Sequence, residues 1–187
     1  MNVMEALRQR RSIKRFTERP VRREQVERLL AAAALAPNHH LTQPWRFYVL
    51  GPRARRAYGE VVGARKARRV DDPATAEQVR EKVAAEHASL PGMIVVAMSE
   101  DPNPEVREED FAATMMAVLA LMLAAVEEGL GTHIKTGAVM EDPDARAAVG
   151  VPEEEVIVAV INVGEPEQPL PSPKPRKAPG ELTRWTA

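Results

Sequence analysis

The run FAATMMAVLALMLAAV, residues 111–126, is the longest apolar stretch of this 187-residue chain and the one that decides its fold. It is shorter than the roughly 20 residues that a membrane-spanning helix needs, and acidic residues flank it. The helix that it predicts, from about residue 108 to residue 128, is apolar on nearly all sides. A small domain can bury such a helix only at its centre or against a partner, so we expect a central helix and an oligomer.

Three other apolar stretches predict β-strands. WRFYVL (45–50) alternates in polarity, MIVVAM (93–98) is typical of a buried strand, and VIVAVINVG (156–164) is too apolar for a solvent-exposed edge. Further helical patterns lie at residues 3–11, 22–36, 53–62, 75–87 and 142–150. Interleaved helices with only three clear strands predict an α+β domain, in which helices cover a small, mostly antiparallel sheet.

Two segments fall outside these patterns. The charged stretch RKARRVDDP (65–73) predicts a mobile surface loop. From residue 164 onward proline becomes frequent and little can form a core. We therefore expect a single domain over residues 1–163 and an extended tail over residues 164–187 that lies against another surface.

The composition restricts the possible functions. Apolar residues make up 44% of the chain and charged residues 28%, as in an ordinary globular protein. The absence of cysteine excludes disulfides and thiolate-bound metals, and it suits a reducing compartment. No apolar stretch follows the N-terminal charges as it would in a secretory signal, so we expect a cytoplasmic protein with no membrane attachment. The net charge of -1 gives no general attraction to nucleic acids.

The chain begins with a cluster of cations around Ser12. These are Arg8, Arg10, Arg11, Lys14 and Arg15. Cations at a helix C-terminus gain about 0.3–1 kcal/mol from the helix dipole, and nucleic-acid binding would need a longer basic face with interleaved aromatic residues. A phosphate site needs guanidinium groups, a hydroxyl and further cations, which KPRK (174–177) could supply. The residues alone leave a phosphate site and solvated charges equally open.

A polar loop lies just ahead of the first strand, in APNHHLTQPWRFYVL (36–50). Such loops often carry ligand contacts, although Asn38 could merely cap the preceding helix. Adjacent His39 and His40 cannot both face one site from an extended segment, so we expect no metal site. The chain also lacks the glycine-rich motifs of Rossmann and P-loop nucleotide sites.

Five motifs, in this order, resemble the FMN-dependent nitroreductase family, and most closely its short bacterial members. They are RRSIKRF (10–16), APNHHLTQPWRFYVL (36–50), EEGLGTHIKTGA (127–138), VGVPEEEVIVAVINVGEPE (149–167) and KPRKAPGEL (174–182). The resemblance implies an α+β sandwich completed by dimerisation, with FMN at two sites in the subunit interface. It also implies that the tail wraps the partner subunit.

The resemblance assigns residues to both ends of the cofactor. Arg10, Arg11 and Ser12 would contact the FMN phosphate and ribityl chain, and Lys174 and Arg176 would add the cations of the tail.

At the ring end, Lys14 would lie near the N1/C2 carbonyl edge of the flavin, where a cation favours reduction. Asn38 and His39 would reach the flavin held mainly by the other subunit, and Gln43 belongs to the QPW signature. The stretch beside the ring would be Ile134, Lys135, Thr136 and Gly137.

The implied reaction is a ping-pong hydride transfer through flavin N5, from NADH or NADPH to a small-molecule acceptor such as a nitroaromatic or quinone. The cofactor performs the chemistry, so no catalytic side chain is expected. This sequence has leucine at positions 35 and 41, where relatives have a flavin-contacting arginine and an asparagine. It also lacks the acidic-glycine pair that larger members place near N5.

Two alternatives remain. Other members of the superfamily dehalogenate substrates or consume flavin, usually with extra lid sequence, for which residues 64–73 with the following helix are the best candidate here. A non-enzymatic anion-binding or RNA-binding protein would show strongly salt-dependent binding and no yellow colour.

Overall fold

The computed structural model describes residues 1–186 and confirms the α+β class. In chain order its elements are α1 (Val3–Gln9), α2 (Arg23–Ala33), β1 (Trp45–Val49), α3 (Pro52–Ala67), α4 (Pro73–Ala88), β2 (Gly92–Ser99), α5 (Pro104–Glu127), β3 (Gly131–Lys135), α6 (Pro143–Val149), β4 (Glu155–Gly164) and α7 (Pro179–Leu182).

The strands form one antiparallel sheet in the order β1-β2-β4-β3. The two most apolar strands, β2 and β4, are neighbours at its centre, where Val95 lies opposite Val160 and both are fully buried. The sequence pattern did not predict β3, because Thr132, His133 and Lys135 interrupt any apolar alternation. Pairing with β4 along its whole length makes this short polar segment a strand.

The sheet has a helical layer on each face. On one face, Leu29 of α2 and Leu121 of α5 pack in the same core as Ile161 of β4. On the other face, α3 and α6 cover a second core that contains Tyr58 and Met93, and α4 packs on α3. The expectation of a central helix is confirmed, because the inner side of α5 fills the first core.

Glycine allows α3 and α4 to pack closely. A Cβ atom on Gly59 would lie 2.8 Å from the Cβ of His87 and 2.9 Å from the Cα of Ala84. A Cβ atom on Gly63 would lie 2.8 Å from the backbone oxygen of Arg80. These separations are below van der Waals contact, so only glycine permits this approach, which fixes the position of His87 relative to the sheet.

The outer side of α5 remains apolar and exposed in the single chain. Phe111, Met116 and Leu119 are each more than 40% exposed, at 48%, 42% and 41%. By length and composition alone α5 could cross a membrane, but a core helix passes the same test. Because Ala117 and Leu121 on its inner side are fully buried in the domain, this property does not identify a membrane span.

The predicted loop at residues 65–73 is wrong at its two ends, because residues 65–67 and residue 73 are helical. Helix α3 continues to Ala67, because alanine, lysine and arginine all favour the helical conformation. Helix α4 then begins at Pro73 and is capped by Asp72, whose side chain accepts a hydrogen bond from the backbone of Thr75 at 2.7 Å. Only residues 68–72 connect the two helices.

Candidate functional site

The N-terminal segment lies along the free edge of β3. The backbone N–H of Ile13 donates to the carbonyl of Thr132 at 2.9 Å, and Ser12 forms a parallel bridge with Thr132. Gly131 is required for this contact, because a Cβ there would lie 2.5 Å from Cγ1 of Ile13. The sheet edge therefore holds the backbone that carries the cation cluster.

The start of the tail follows the same segment. The backbone N–H of Glu167 donates to the carbonyl of Arg15 at 3.2 Å, and Nε of Arg11 donates to the carbonyl of Pro171 at 3.2 Å. These contacts bring the two ends of the chain together.

The result is an open cleft of about 880 Å³, which we name the arginine cleft. It contains every residue that the resemblance assigned to the phosphate end of FMN. Its lining includes Arg10, Arg11, Ser12, Lys14, Lys174 and Arg176. A phosphate monoester carries about two negative charges and three acceptor oxygens, so guanidinium, ammonium and hydroxyl donors are the groups it needs.

A second cleft of about 660 Å³, which we name the lysine cleft, lies between the N-terminal segment, α4 and the sheet. Its polar lining includes Lys14, Lys66, His87, His133, Lys135 and Asn162. Lys14 lines both clefts. A single ligand with an anionic group at one end could therefore extend from the arginine cleft into the lysine cleft.

Two hydrogen bonds define the protonation of His87 at the buried end of the lysine cleft. Nδ1 lies 2.7 Å from the carbonyl oxygen of Val83, which can only accept, so Nδ1 carries the proton. Nε2 then accepts from Nζ of Lys135 at 3.4 Å. Burial lowers the pKa of His87, and the charges of Lys135 and Lys66 lower it further, so the imidazole is neutral at pH 7.

Burial also lowers the pKa of two other groups in the lysine cleft. Burial lowers the pKa of Lys135, and the nearby charge of Lys66 adds to the effect. The pKa of His133 is lowered by burial and then by the charges of Lys135 and Lys14, which line the same cleft. Oδ1 of Asn162 is buried and accepts no hydrogen bond from any residue between 1 and 186. Such a cluster is typical of a binding site.

The polar loop before β1 folds back on itself. Oδ1 of Asn38 accepts from the backbone of Gln43 at 2.7 Å and from the hydroxyl of Thr42 at 3.2 Å. Nδ2 of Asn38 donates to Oδ1 of Asp110, a buried carboxylate on α5, at 3.3 Å. Asn38 therefore closes its own loop onto α5. Leu41 and Gln43 adopt positive φ values of 51° and 45°, a strained conformation that is common at functional sites.

The two adjacent histidines face one group, contrary to expectation. Nδ1 of His39 lies 2.9 Å from Oε2 of Glu109, and Nε2 of His40 lies 3.2 Å from the same oxygen. The premise that they could not converge was wrong, because they occupy a turn and not an extended segment. The atoms could also surround a metal ion, but ion pairing of exposed side chains accounts for the contacts.

The remaining predicted residues divide into two groups. Of the stretch beside the ring, Lys135 lines the lysine cleft, Ile134 packs against the core, and Thr136 and Gly137 are exposed beyond β3. The loop residues at positions 38, 39 and 43 line neither cleft within one chain. Their assignment to the flavin of a partner subunit stays a prediction.

The lysine cleft has further polar lining residues that were not predicted as site residues, among them Lys66, His87, His133 and Asn162. Asn162 did give a signal, as the one polar side chain within the apolar strand VIVAVINVG. His87 and Lys66 gave none, because their position depends on how α4 packs on α3 and α3 packs on the sheet.

Comparison with known proteins assigns the class. A model of the Nitroreductase family matches residues 7–165, and the chain belongs to that family. It is 32% identical over 162 residues to YfhC of Bacillus subtilis, which is named as a candidate NAD(P)H nitroreductase. The match covers 87% of this chain and 83% of that protein.

Solved structures agree on the fold. A nitroreductase-like protein from Bacillus cereus superposes with a TM-score of 0.85 at 26% identity, over 100% of this chain and 96% of that one. A nitroreductase from Bacteroides fragilis with bound FMN superposes with a TM-score of 0.77 over the full length of both chains. At 20% identity the second similarity shows the fold alone.

Proposed function

We propose that this protein is an FMN-dependent NAD(P)H oxidoreductase. The observation that carries the proposal is the junction of the two clefts at Lys14, which links a set of cations to a buried polar pocket. FMN has the matching form, with a phosphate at one end of a flexible chain and a polar ring edge at the other.

The arginine cleft would hold the phosphate. Arg10 and Arg11 come from the N-terminal segment, and Lys174 and Arg176 come from the tail, so cations surround the site from two sides. Nη1 of Arg11 also donates to the carbonyl of Arg10 at 2.8 Å, and its Nε contact to Pro171 further fixes the guanidinium group. A guanidinium that is already oriented loses less entropy when it binds a phosphate.

The lysine cleft would hold the polar edge of the ring. Lys14 and Lys135 would direct N–H groups at ring acceptors, and the unpaired carbonyl of Asn162 marks a polar pocket. Bound FMN would supply hydride acceptance from NADH or NADPH and delivery to a nitroaromatic, quinone or similar acceptor. The side chains bind, orient and electrostatically tune the cofactor, and we propose none as a nucleophile or general base.

The proposed active form is a homodimer. Exposed apolar residues on α5 and on α1, among them Met116, Leu119, Val3 and Met4, are a surface that a second copy would cover. The polar loop with Asn38 and His39 would then approach the flavin of the partner, and residues 172–186 would contact the partner. A cysteine-free, FMN-dependent reductase suits the cytoplasm, with no nucleic-acid or membrane partner.

The visible spectrum of the freshly purified protein tests the proposal. We expect flavin absorption that bleaches when NADH or NADPH is added without oxygen and returns when a quinone or nitroaromatic is added. Extraction and chromatography of the chromophore would distinguish FMN from FAD. A colourless protein that does not take up added FMN would overturn the proposal and favour a non-enzymatic anion-binding protein.

A further inference from the structure

Lys135 is an unusual residue for its position. It is the last residue of β3, it lies opposite fully buried Val160, and its side chain enters the lysine cleft. Lysines withdrawn from solvent are normally paired with a carboxylate, because an isolated ammonium group loses hydration, and Lys135 is half-buried. The hydrogen-bond partner of Lys135 within residues 1–186 is instead the neutral imidazole of His87.

His87 is built to hold this lysine. Its Nδ1–H bond to Val83 commits Nε2 to the role of acceptor, and the close approach of Gly59 fixes the helix that carries the ring. A neutral acceptor positions the ammonium group without neutralising its charge. The cleft therefore contains a positioned cation whose hydrogen-bond partner is neutral, although the charge of Glu86 also acts on it.

The cations of the lysine cleft point to a ligand that gains negative charge. Lys135 and Lys14 both line this cleft, and the charges of both lower the pKa of His133 there. Lys66 adds a third ammonium group at the rim.

We infer that Lys135, positioned by His87, is a second ammonium group of the flavin site that stabilises the reduced, anionic flavin more than the oxidised one. The inference rests on the proposed function and adds a residue that raises the reduction potential. Lys135 is then a tuning group, and His87 is a positioning residue that acts through it. Together they would favour electron transfer from NADH or NADPH into the cofactor.

Charged groups from every neighbouring element would modulate this effect. They are Lys14, Arg15 and Glu18 of the N-terminal segment, Lys66 of α3, Glu86 of α4 and Glu167 beyond β4, with His87 and His133 as titratable neighbours. Burial and Lys66 lower the pKa of Lys135, whereas Glu86 raises it. As the pH rises through that lowered pKa, the ammonium group loses its charge and the stabilisation disappears.

The test measures the two-electron midpoint potential and the dissociation constant of FMN, both in the holoenzyme. In Lys135→Met we expect the affinity for reduced FMN to fall at least tenfold more than that for oxidised FMN, which lowers the potential by about 30 mV or more. Lys135→Arg should recover part of this loss. The matched control is Lys82→Met, which removes an exposed lysine on α4 and should leave the potential unchanged.

His87 is tested by its effect on Lys135. His87→Gln keeps an acceptor and should retain most of the wild-type potential, whereas His87→Leu should lower it. The difference between wild type and Lys135→Met should shrink as the pH approaches about 10, where lysines normally lose their proton. Lys66→Met removes an exposed charge, so Lys135 should stay protonated to higher pH. The pH at which the flavin potential falls should therefore be higher in Lys66→Met than in wild type.

The outcomes separate this inference from the proposed function. If Lys135→Met binds FMN with an unchanged potential, or if Lys82→Met lowers it as much, the inference is wrong and the proposed function stands. If wild-type protein binds no FMN, the proposed function itself fails. If Lys135→Met does not fold, Lys66→Met still tests the tuning role. That role is refuted if the pH at which the flavin potential falls is the same in Lys66→Met as in wild type.

Discussion

Gly59 on α3 and His87 on α4 are in such close contact that the Cβ atom of any other residue at position 59 would lie 2.8 Å from the Cβ of His87. His87, which contacts Lys135 in the lysine cleft, is thus held against α3. This contact is possible because position 59 has no side chain. A change in the packing of α3 against α4 would therefore also change the electrostatic environment of the lysine cleft.

Gly59→Ala should therefore affect both stability and the cleft. Overpacking at a helix contact typically costs about 1–3 kcal/mol, and relief of the clash requires α4 to move with His87. We expect a lower urea midpoint and, under the proposed function, a lower flavin potential. Gly180→Ala is the control, because a Cβ there meets no atom within 4 Å. Equal stability of the two variants would contradict the close packing.

The cations of the arginine cleft should determine FMN affinity. Under the proposed function, Arg11→Ala and Arg176→Ala each remove a charged donor to phosphate, worth about 1.5–3 kcal/mol, or roughly 10- to 150-fold in affinity. Arg56→Ala removes an exposed arginine on α3 that pairs with Glu81 and should leave FMN affinity unchanged. Fluorescence titration of the apoprotein measures all three, and equal affinities would refute the assignment of the phosphate site.

Leu41 should be a site of stored strain. Its φ of 51° lies in the left-handed region, which costs a residue with a β-carbon about 1–2 kcal/mol and which asparagine tolerates better. Leu41→Asn should therefore raise the free energy of unfolding, by up to about 1 kcal/mol. Leu35→Asn replaces an equally exposed leucine without a positive φ and should change stability little. A destabilised Leu41→Asn would indicate that the leucine makes contacts in the assembled protein.

The exposed side of α5 should carry the dimer interface. Met116→Glu and Leu119→Glu would each place a charge in an apolar contact, so we expect dissociation to monomers and weaker FMN binding. Val49→Glu, on the exposed side of β1, provides a control with similar exposure outside that surface. Analytical ultracentrifugation measures the mass, and a dimer that survives both α5 substitutions would place the interface elsewhere.

Much of the fold followed from local pattern. The central strands, α5 and α6 are dictated by runs of apolar residues and by caps such as Asp142, and these elements were predictable, whereas α7 lies within the predicted extended tail. Strand β3 was not, because a polar segment becomes a strand only when a neighbour of compatible register is present. The helical end of α3 is not evident from residue types, because a run of charged residues also occurs in mobile loops although arginine and lysine favour helices.

The candidate site likewise has one part that residue types predicted and one part that they did not. The arginine cleft was predictable because its residues lie in contiguous motifs at the two ends of the chain. The buried end of the lysine cleft was not, because His87 and Asn162 come to line one cleft only through the packing of α4 on α3. The convergence of His39 and His40 on Glu109 also depends on a turn that residue types alone do not specify.

The arginine cleft has a consequence for how the protein is made. Arg11 and Pro171, whose contact helps to close it, are separated by 160 positions, and Arg176 lies further still along the chain. The cleft cannot form during synthesis until residue 176 has been added. Under the proposed function, FMN would therefore bind only after that point, and a product truncated before residue 171 would fold its core but bind FMN weakly.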